Sequence, residues 1–327
     1  MHALEQLVAR SPNDADAWND LAVAQLDYAA ANDDVRSFAS SLANADHAIA
    51  LRPAHAEALF NRALALDALG LRFAAVDAWR RYLSVDAASE WATEARDRLA
   101  AANQPTRVDA WKRAGADLDR ALDRGDVATI ESIVAKFPLD VRTAVETVHL
   151  PAWADAYLGG NQALAQAALT RARLLSAALK KHNGDGLLEQ AVRTADGGDA
   201  ARAFRDYRQG RADNLVRKVK ESFEHFVDAE RGFAAAGNPM ELSAAYYHAN
   251  ALVDLGRADE AGVIAKQLEK RLDPSFRSLQ AHLLWQRARL TNNAGRHYES
   301  LLALREAREL FDNLGEQDFA DRLRSAE

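Results

Sequence analysis

Acidic and histidine side chains are the main candidates in this chain for binding a metal, because the sequence contains no cysteine. The stretch "NDADAWND" gathers Asn13, Asp14, Asp16 and Asp20. Four oxygen-bearing side chains can bind a cation, but their spacing does not match a calcium-binding loop. We favour the alternative that they cap and decorate the first turn of a helix.

The histidines are dispersed. His248 and His282 lie in neighbouring helical segments and could converge on a metal ion, but the sequence offers no evident third ligand. The basic run "RKVK" at 217–220 lies between apolar positions, which indicates a solvated helix face rather than a phosphate site. Phosphate-binding glycine loops and the zinc-protease and serine-hydrolase motifs are all missing. We therefore expect no catalytic residues, no metal and no cofactor.

Composition narrows the class of partner. The formal net charge is −7, which argues against nucleic acid or an anionic membrane as the main partner. No stretch approaches the length of apolar residues that a membrane span needs, and the first residues lack the pattern of a secretory signal. We expect a cytoplasmic protein whose partner is a protein or peptide, with no nucleic acid and no membrane.

Strand signals are nearly absent, whereas alanine, leucine, arginine and glutamate dominate, so helix is expected throughout. Pro151 interrupts a helical pattern in "ETVHLPAWADAYL", and we expect a break or kink there. Elsewhere a glycine lies between two helical segments, which predicts that the two segments form a hairpin with the glycine in its turn. These glycines are Gly70, Gly125, Gly159–Gly160, Gly210, Gly256 and Gly295.

Four hairpins share a more specific residue pattern. On the first helix a small residue lies four positions after a large one, and a second small residue lies on the second helix. The small pairs Ala63/Ala75, Ala249/Ala261 and Ala288/Ser300 are each 12 residues apart, and Ala22/Ser41 are 19 apart. Small side chains are needed where two helices of a hairpin approach most closely. The full sets are Trp18, Ala22, Gln25, Ser41, Ala45 and Ala48; Leu59, Ala63, Leu66, Ala75, Trp79 and Tyr82; Ala245, Ala249, Leu252, Ala261, Ala265 and Leu268; and Leu284, Ala288, Thr291, Ser300, Leu304 and Ala307.

These residues resemble the tetratricopeptide repeat family, well at 15–87 and 239–314 and less well between about 103 and 236. The resemblance implies an all-α fold, a right-handed superhelix (α-solenoid) of antiparallel helix hairpins. We expect three parts: hairpins plus a covering helix at 1–102, a degenerate hairpin segment at 103–236, and hairpins ending in a cap or truncated helix at 237–327. Arg62, His248 and Arg287 depart from the family pattern, which usually has leucine at that position.

A narrower resemblance concerns the run "ALFNRALALDALGLRFAAVDAWRRYLSVDAASEWATEARDRLAA", together with "AFRDYRQG" and "EARELFDNLGE". These stretches are similar to the amino-terminal repeat array of bacterial CHAT-type, caspase-like peptidases. In that family the array precedes a protease domain with a cysteine–histidine dyad. This chain has no cysteine, so no catalytic residue is carried over. The resemblance implies a regulatory or sensing module for such a protease.

The family geometry also implies a ligand surface, because first helices of tetratricopeptide hairpins line a concave groove. The residues expected there are Tyr246, Asn250, Asp254, His282, Trp285, Arg289 and Asn292. Trp285 has the alternative of packing under an adjacent helix. The equivalent residues at the amino end form a more acidic surface: Asp16, Asn19, Glu57, Phe60 and Asn61.

The resulting hypothesis is a non-catalytic scaffold that binds a protein or peptide. The alternative is a repeat-based receptor for a small peptide or metabolite that changes the superhelix on binding. A closed pocket lined by 150–236 would favour the receptor, and an open groove would favour the scaffold. Because "EQDFADRLRSAE" begins a helix without its partner, we also expect the native protein to continue beyond Glu327.

Overall fold

The computed structural model describes residues 1–32 and 34–325, and within them the chain is helical with no strand. The predicted all-α class and the antiparallel hairpins are confirmed. The helices are α1 His2–Arg10, α2 Ala15–Asn32, α3 Val35–Leu51, α4 Ala56–Ala68, α5 Arg72–Val85, α6 Glu90–Ala102, α7 Arg107–Arg124, α8 Val127–Lys136, α9 Pro138–Ala144, α10 Leu150–Leu158, α11 Gln162–Asn183, α12 Leu187–Arg193, α13 Gly197–Leu215, α14 Val219–Ala235, α15 Met240–Asp254, α16 Ala258–Arg271, α17 Arg277–Asn293, α18 His297–Leu314 and α19 Gln317–Arg324. A π turn, Val145–His149, lies between α9 and α10.

Helix boundaries follow the capping chemistry of the sequence. Asp34, Ser89, Asp126 and Asn161 each accept a hydrogen bond from a backbone N–H of the first turn that follows. Asp14 does the same for α2, accepting from the backbone N–H of Asp16 at 3.0 Å. The capping interpretation of "NDADAWND" is therefore confirmed for Asp14.

The small residues lie where the hairpins are tightest. Ala63 and Ala75 are fully buried between α4 and α5. In the first hairpin the Ser41 hydroxyl donates to the Ala22 carbonyl at 2.8 Å, across α2 and α3. The Ser300 hydroxyl makes the same contact to the Ala288 carbonyl at 2.9 Å. Serine can therefore occupy the position of alanine at a close contact, because its hydroxyl donates a hydrogen bond to a carbonyl of the facing helix.

Gly210 corrects one expectation. It lies inside α13 rather than in a turn, and a Cβ atom there would come within 2.9 Å of the Phe226 ring on α14. The turn follows later in the chain, where Arg217 has a φ of 62°. The sequence interpretation failed because a glycine can serve a close helix–helix approach as well as a turn.

The chain does not break at Pro151: it stays helical from α9 into α10, and its irregularity is the π turn Val145–His149, immediately before α10. Pro151 lies in the first turn of α10, where its missing N–H costs least. A π turn carries an extra residue and reorients the side chains that precede and follow it. Arg142 in α9 and Glu146 in the π turn are both buried.

The structure forms two compact units, Met1–Arg107 and Val108–Glu327. In unit 1 the core contains Leu59, Phe60, Trp79 and Tyr82, and α6 packs on α5 as the predicted covering helix. Unit 2 has a larger core running from α7 to α17 and a smaller one under α18 and α19. The proposed continuation past Glu327 lies outside the described residues.

Unit 2 also joins segments that are far apart in the chain. The Arg142 Nε on α9 donates to Glu316 Oε1, between α18 and α19, at 2.7 Å, although 174 positions separate them. The Asn183 amide at the end of α11 donates to the Leu314 carbonyl at 3.2 Å. In an open solenoid each repeat contacts only its neighbours. Within unit 2 the connection between α18 and α19 instead forms hydrogen bonds with α9 and with the end of α11.

Candidate binding pocket

A small pocket lies among the helices that unit 2 brings together. Its free space is about 50 Å³, room for about three water molecules. The pocket is lined by side chains from α9, the π turn, α12, α13, α15, α17 and α19. These are Leu139, Arg142, Thr143, Glu146, Leu187, Tyr207, Arg211, Ser243, Tyr246, Tyr247, Ser278, Leu279, His282 and Phe319.

Glu146 and Arg211 form one ion pair of this pocket. The Arg211 Nη1 lies 2.7 Å from Glu146 Oε2, and the Tyr207 hydroxyl donates to the same oxygen at 3.2 Å. The Arg211 guanidinium also lies over the Tyr247 ring, 4.6 Å from its centre. Burial raises the pKa of Tyr207 well above its usual value, and the Glu146 charge adds to the effect. Tyr207 therefore stays a neutral hydrogen-bond donor.

Arg142 forms the second charged group. It is 5% exposed and lies between two acidic side chains, with Asp185 Oδ2 at 2.6 Å and Glu316 Oε1 at 2.7 Å. Its Nη2 nevertheless makes no well-aligned hydrogen bond. The two arginines of this region are paired with three carboxylates, Glu146, Asp185 and Glu316. Their formal charges sum to −1, so this environment does not favour binding of a simple anion. It offers both donors and acceptors, as a peptide group or a zwitterion requires.

Two of the predicted site residues, Tyr246 and His282, line the pocket, with ring centres 5.4 Å apart. The His282 Nδ1 lies 2.8 Å from the Ser278 carbonyl, which can only accept, so Nδ1 carries the proton. Burial lowers the pKa of His282 to about 4. His282 is therefore neutral near pH 7, and its Nε2 is an acceptor.

Asn250 and Arg289 lie beside the pocket rather than in its lining. Asn250 Oδ1 accepts from Gln286 Nε2 at 3.0 Å and from Arg289 Nη1 at 3.4 Å. Arg289 also pairs with Asp254 at 3.2 Å. This polar network links α15 to α17, so it holds the two helices that carry Tyr246 and His282.

Trp285 and Asn292 are the remaining predicted residues. Trp285 is half-buried, with its ring centre 5.9 Å from that of Phe319 and 6.3 Å from that of Phe311. Asn292 is exposed near the end of α17, and its Oδ1 lies 2.9 Å from His297 Nδ1. Neither residue lines the pocket.

The predicted acidic surface at the amino end corresponds to an open groove in unit 1. Asn19, Glu57, Phe60 and Asn61 line this groove. Asp16 does not, because its carboxylate pairs with Arg52 at 2.8 Å and with His55 at 3.0 Å.

Sequence reasoning did not find Arg142, Glu146, Tyr207 or Arg211. They come from the segment where the repeat pattern is weakest, so no spacing rule relates them. One signal was available, because the apolar run around Pro151 contains Glu146. A charged residue inside an apolar run is buried only when it is paired.

Residues 1–32 and 34–325 contain no group of three or more His, Asp or Glu side chains arranged to hold a metal ion. His248 lies 2.9 Å from Glu230, on the neighbouring hairpin helix α14. No helix in this part of the chain is both long and apolar enough to cross a membrane.

Comparison with known proteins assigns the chain to no family. No protein-family model matches the chain, and no curated protein matches it at a significant level. Among solved structures, the tetratricopeptide repeat domain of P58(IPK) is similar, with 15% identity over 99% of this chain and 92% of that one. The TM-score is 0.30, too low to support an argument about either fold or function. The class of the protein therefore follows from its own helices: it is an all-α protein of antiparallel helix hairpins.

Proposed function

We propose that this chain is a non-catalytic repeat scaffold that binds a protein segment or peptide, with the pocket of unit 2 as a recognition site. The observation that carries the proposal is the convergence of Arg142, Glu146, Arg211 and His282 with aromatic rings at one recess. Main-chain amides need a donor and an acceptor together, and aromatic walls favour side-chain contact.

The size of the pocket limits the part of the ligand that enters. About 50 Å³ accommodates a chain terminus or a small side chain rather than an extended peptide. The rest of a peptide would lie outside, beside the polar network of Asn250 and Arg289. A ligand of this kind would bind with the pocket as its anchor.

Selection of a random heptapeptide display library on the full chain tests the proposal, followed by fluorescence anisotropy with the selected peptides. The double variant Glu146→Gln/Arg211→Gln removes both partners of the ion pair, so neither charge is left buried alone. We expect it to weaken binding by about tenfold or more.

The matched control is Asp199→Asn/Arg202→Gln, which neutralises an exposed ion pair on the same helix, α13. It should bind like the parent. Equal binding by the parent and the Glu146→Gln/Arg211→Gln variant, with both folded by circular dichroism, would contradict the proposed site.

The alternative, a receptor for a small ligand, is favoured by one feature of unit 2. The pocket is lined partly by the 150–236 segment, through Leu187, Tyr207 and Arg211, and residues from α9 and α19 face it together. Free amino acids and dipeptides are suitable probes. An increase in melting temperature with such a probe, absent in the Glu146→Gln/Arg211→Gln variant, would support the receptor over the scaffold.

The partner that we propose is a caspase-like protease domain of the CHAT type, in the cytoplasm, with this chain as its regulatory or sensing module. The sequence resemblance described above supports this assignment. Mixing the purified chain with such a domain should change the rate of peptide cleavage. An unchanged rate, together with no association by calorimetry, would refute the partner while leaving peptide binding open.

A further inference from the structure

The groove of unit 1 differs from the pocket of unit 2 in size and charge. Its free volume is about 440 Å³, within the range of sites that hold part of a peptide. It lies where α2, α4 and the end of α5 face the start of α6. Acidic, amide and aromatic side chains line it, and no Lys or Arg does.

Aromatic side chains form one wall. Phe60 is the buried floor, with the Tyr82 ring 5.2 Å and the Trp91 ring 5.1 Å from its centre, both edge-on. Trp91 itself is 60% exposed. An indole that is open to solvent and fixed against a buried ring is a good partner for a cation, because its face carries partial negative charge.

Three carboxylates also line the groove: Asp20, Glu57 and Asp86. Asp86 is held in place by the Tyr82 hydroxyl at 2.9 Å and by two backbone N–H groups. Hydrogen bonds, first that from the Ser89 hydroxyl, lower the pKa of Asp86 to about 2. Asp20 and Glu57 are exposed at the rim.

Two amide side chains, Asn19 and Asn61, also line the groove. The Asn61 Nδ2 donates to Asn19 Oδ1 at 2.8 Å, and the Asn19 Nδ2 donates to Glu57 Oε2 at 3.4 Å. The two amides are therefore linked to one carboxylate of the groove.

The geometry points to a binding site for a basic peptide segment, with a Lys or Arg side chain held by Trp91 and the carboxylates. Charge complementarity selects this occupant, because the recess presents three acids and no base. The inference rests on the proposed peptide-binding function. It can fail separately, because the residues varied here all lie in unit 1.

The test is fluorescence anisotropy on the full chain with a labelled octapeptide that alternates Lys and Arg with alanine. A matched peptide with glutamine in place of each basic residue is the ligand control. We expect the basic peptide to bind, the glutamine peptide to bind at least about tenfold more weakly, and the affinity to fall between about 0.05 and 0.3 M salt.

Two variants locate the site. Asp20→Asn/Glu57→Gln should weaken binding at least about tenfold, and Trp91→Ala about 2- to 30-fold. The matched controls are Asp97→Asn, an exposed acid of α6 outside the groove, and Phe73→Ala, an exposed ring of α5. Both controls should bind like the parent.

Several results would overturn the inference. They are no binding of the basic peptide, equal binding of the glutamine peptide, unchanged affinity in Asp20→Asn/Glu57→Gln, or an equal loss in Asp97→Asn. The varied groove side chains are exposed, so folding should survive, and circular dichroism melts verify it. Loss of basic-peptide binding in Glu146→Gln/Arg211→Gln, with the unit 1 variants unaffected, would place the site in unit 2 and also refute the inference.

Discussion

Acidification should destabilise unit 2 through His282. The imidazole lies among the rings of Tyr246, Phe311 and Phe319, at 5.0–5.4 Å between centres, and burial lowers its pKa to about 4 from 6.5. Between these two values the unfolded chain takes up a proton that the folded chain does not bind. Stability is therefore complete above pH 6.5 and is lost as the pH falls towards 4.

The magnitude follows from the two pKa values. At about pH 5 the unfolded imidazole is almost fully protonated and the folded one is mostly neutral, a difference of about 2 kcal/mol relative to pH 7. His282 keeps some contact with solvent, which reduces the expected loss to about 1–2 kcal/mol.

Urea unfolding at about pH 7 and about pH 5 measures this effect. Other titrating groups change stability too, so the parent is compared with His282→Gln, whose side chain cannot gain a proton. The parent should lose about 1–2 kcal/mol more than His282→Gln between the two pH values. The control His297→Gln, an exposed histidine of α18, should behave like the parent. An identical pH dependence in the parent and His282→Gln would refute the reasoning.

Four further substitutions test the helix packing. Ala63→Leu should destabilise the α4–α5 hairpin by about 1–3 kcal/mol, because the added atoms must separate two touching helices; an unchanged thermal melt would contradict this. Gly210→Ala should also destabilise, by about 1–3 kcal/mol, because its Cβ meets an aromatic ring at 2.9 Å. Gly115→Ala, a helical glycine with open space around it, should instead stabilise by about 0.5–1 kcal/mol, and the opposite order of these two melts would be evidence against the packing. Trp285→Ala should cost about 1–3 kcal/mol in chemical denaturation, since the half-buried ring contacts two phenylalanines; a loss below about 0.5 kcal/mol would show that these contacts contribute little.

The hairpins could be predicted from the sequence because their signal is local. Ala63 and Ala75 are twelve residues apart, and a single hairpin turn brings them together. The repeat spacing also predicted four residues of the unit 1 groove, because they lie on the first helices of adjacent hairpins. They are Asn19, Glu57, Phe60 and Asn61. Trp91 and Asp86 were missed because the covering helix α6 is not part of the repeat pattern.

The pocket of unit 2 could not be predicted in the same way. Arg142, Arg211 and His282 come from three separate segments, and the pocket forms only where α9, α13 and α17 meet in the folded unit. Such packing is decided by many long-range contacts and by buried ion pairs, none of which has a fixed sequence spacing. Tyr246 and His282 were found because they lie in the well-matched repeats.

The ion pairs between Arg142, Asp185 and Glu316 have a consequence for how unit 2 unfolds. An open repeat array can fray from either end, one hairpin at a time, because each terminal repeat has a single neighbour. In unit 2, detaching the segment around Glu316 would leave Arg142 buried with only part of its counter-charge, which is strongly unfavourable. Fraying at the carboxyl end is therefore coupled to the integrity of α9. Amide hydrogens of α9 and α18 should exchange with solvent in one cooperative event rather than at independent rates.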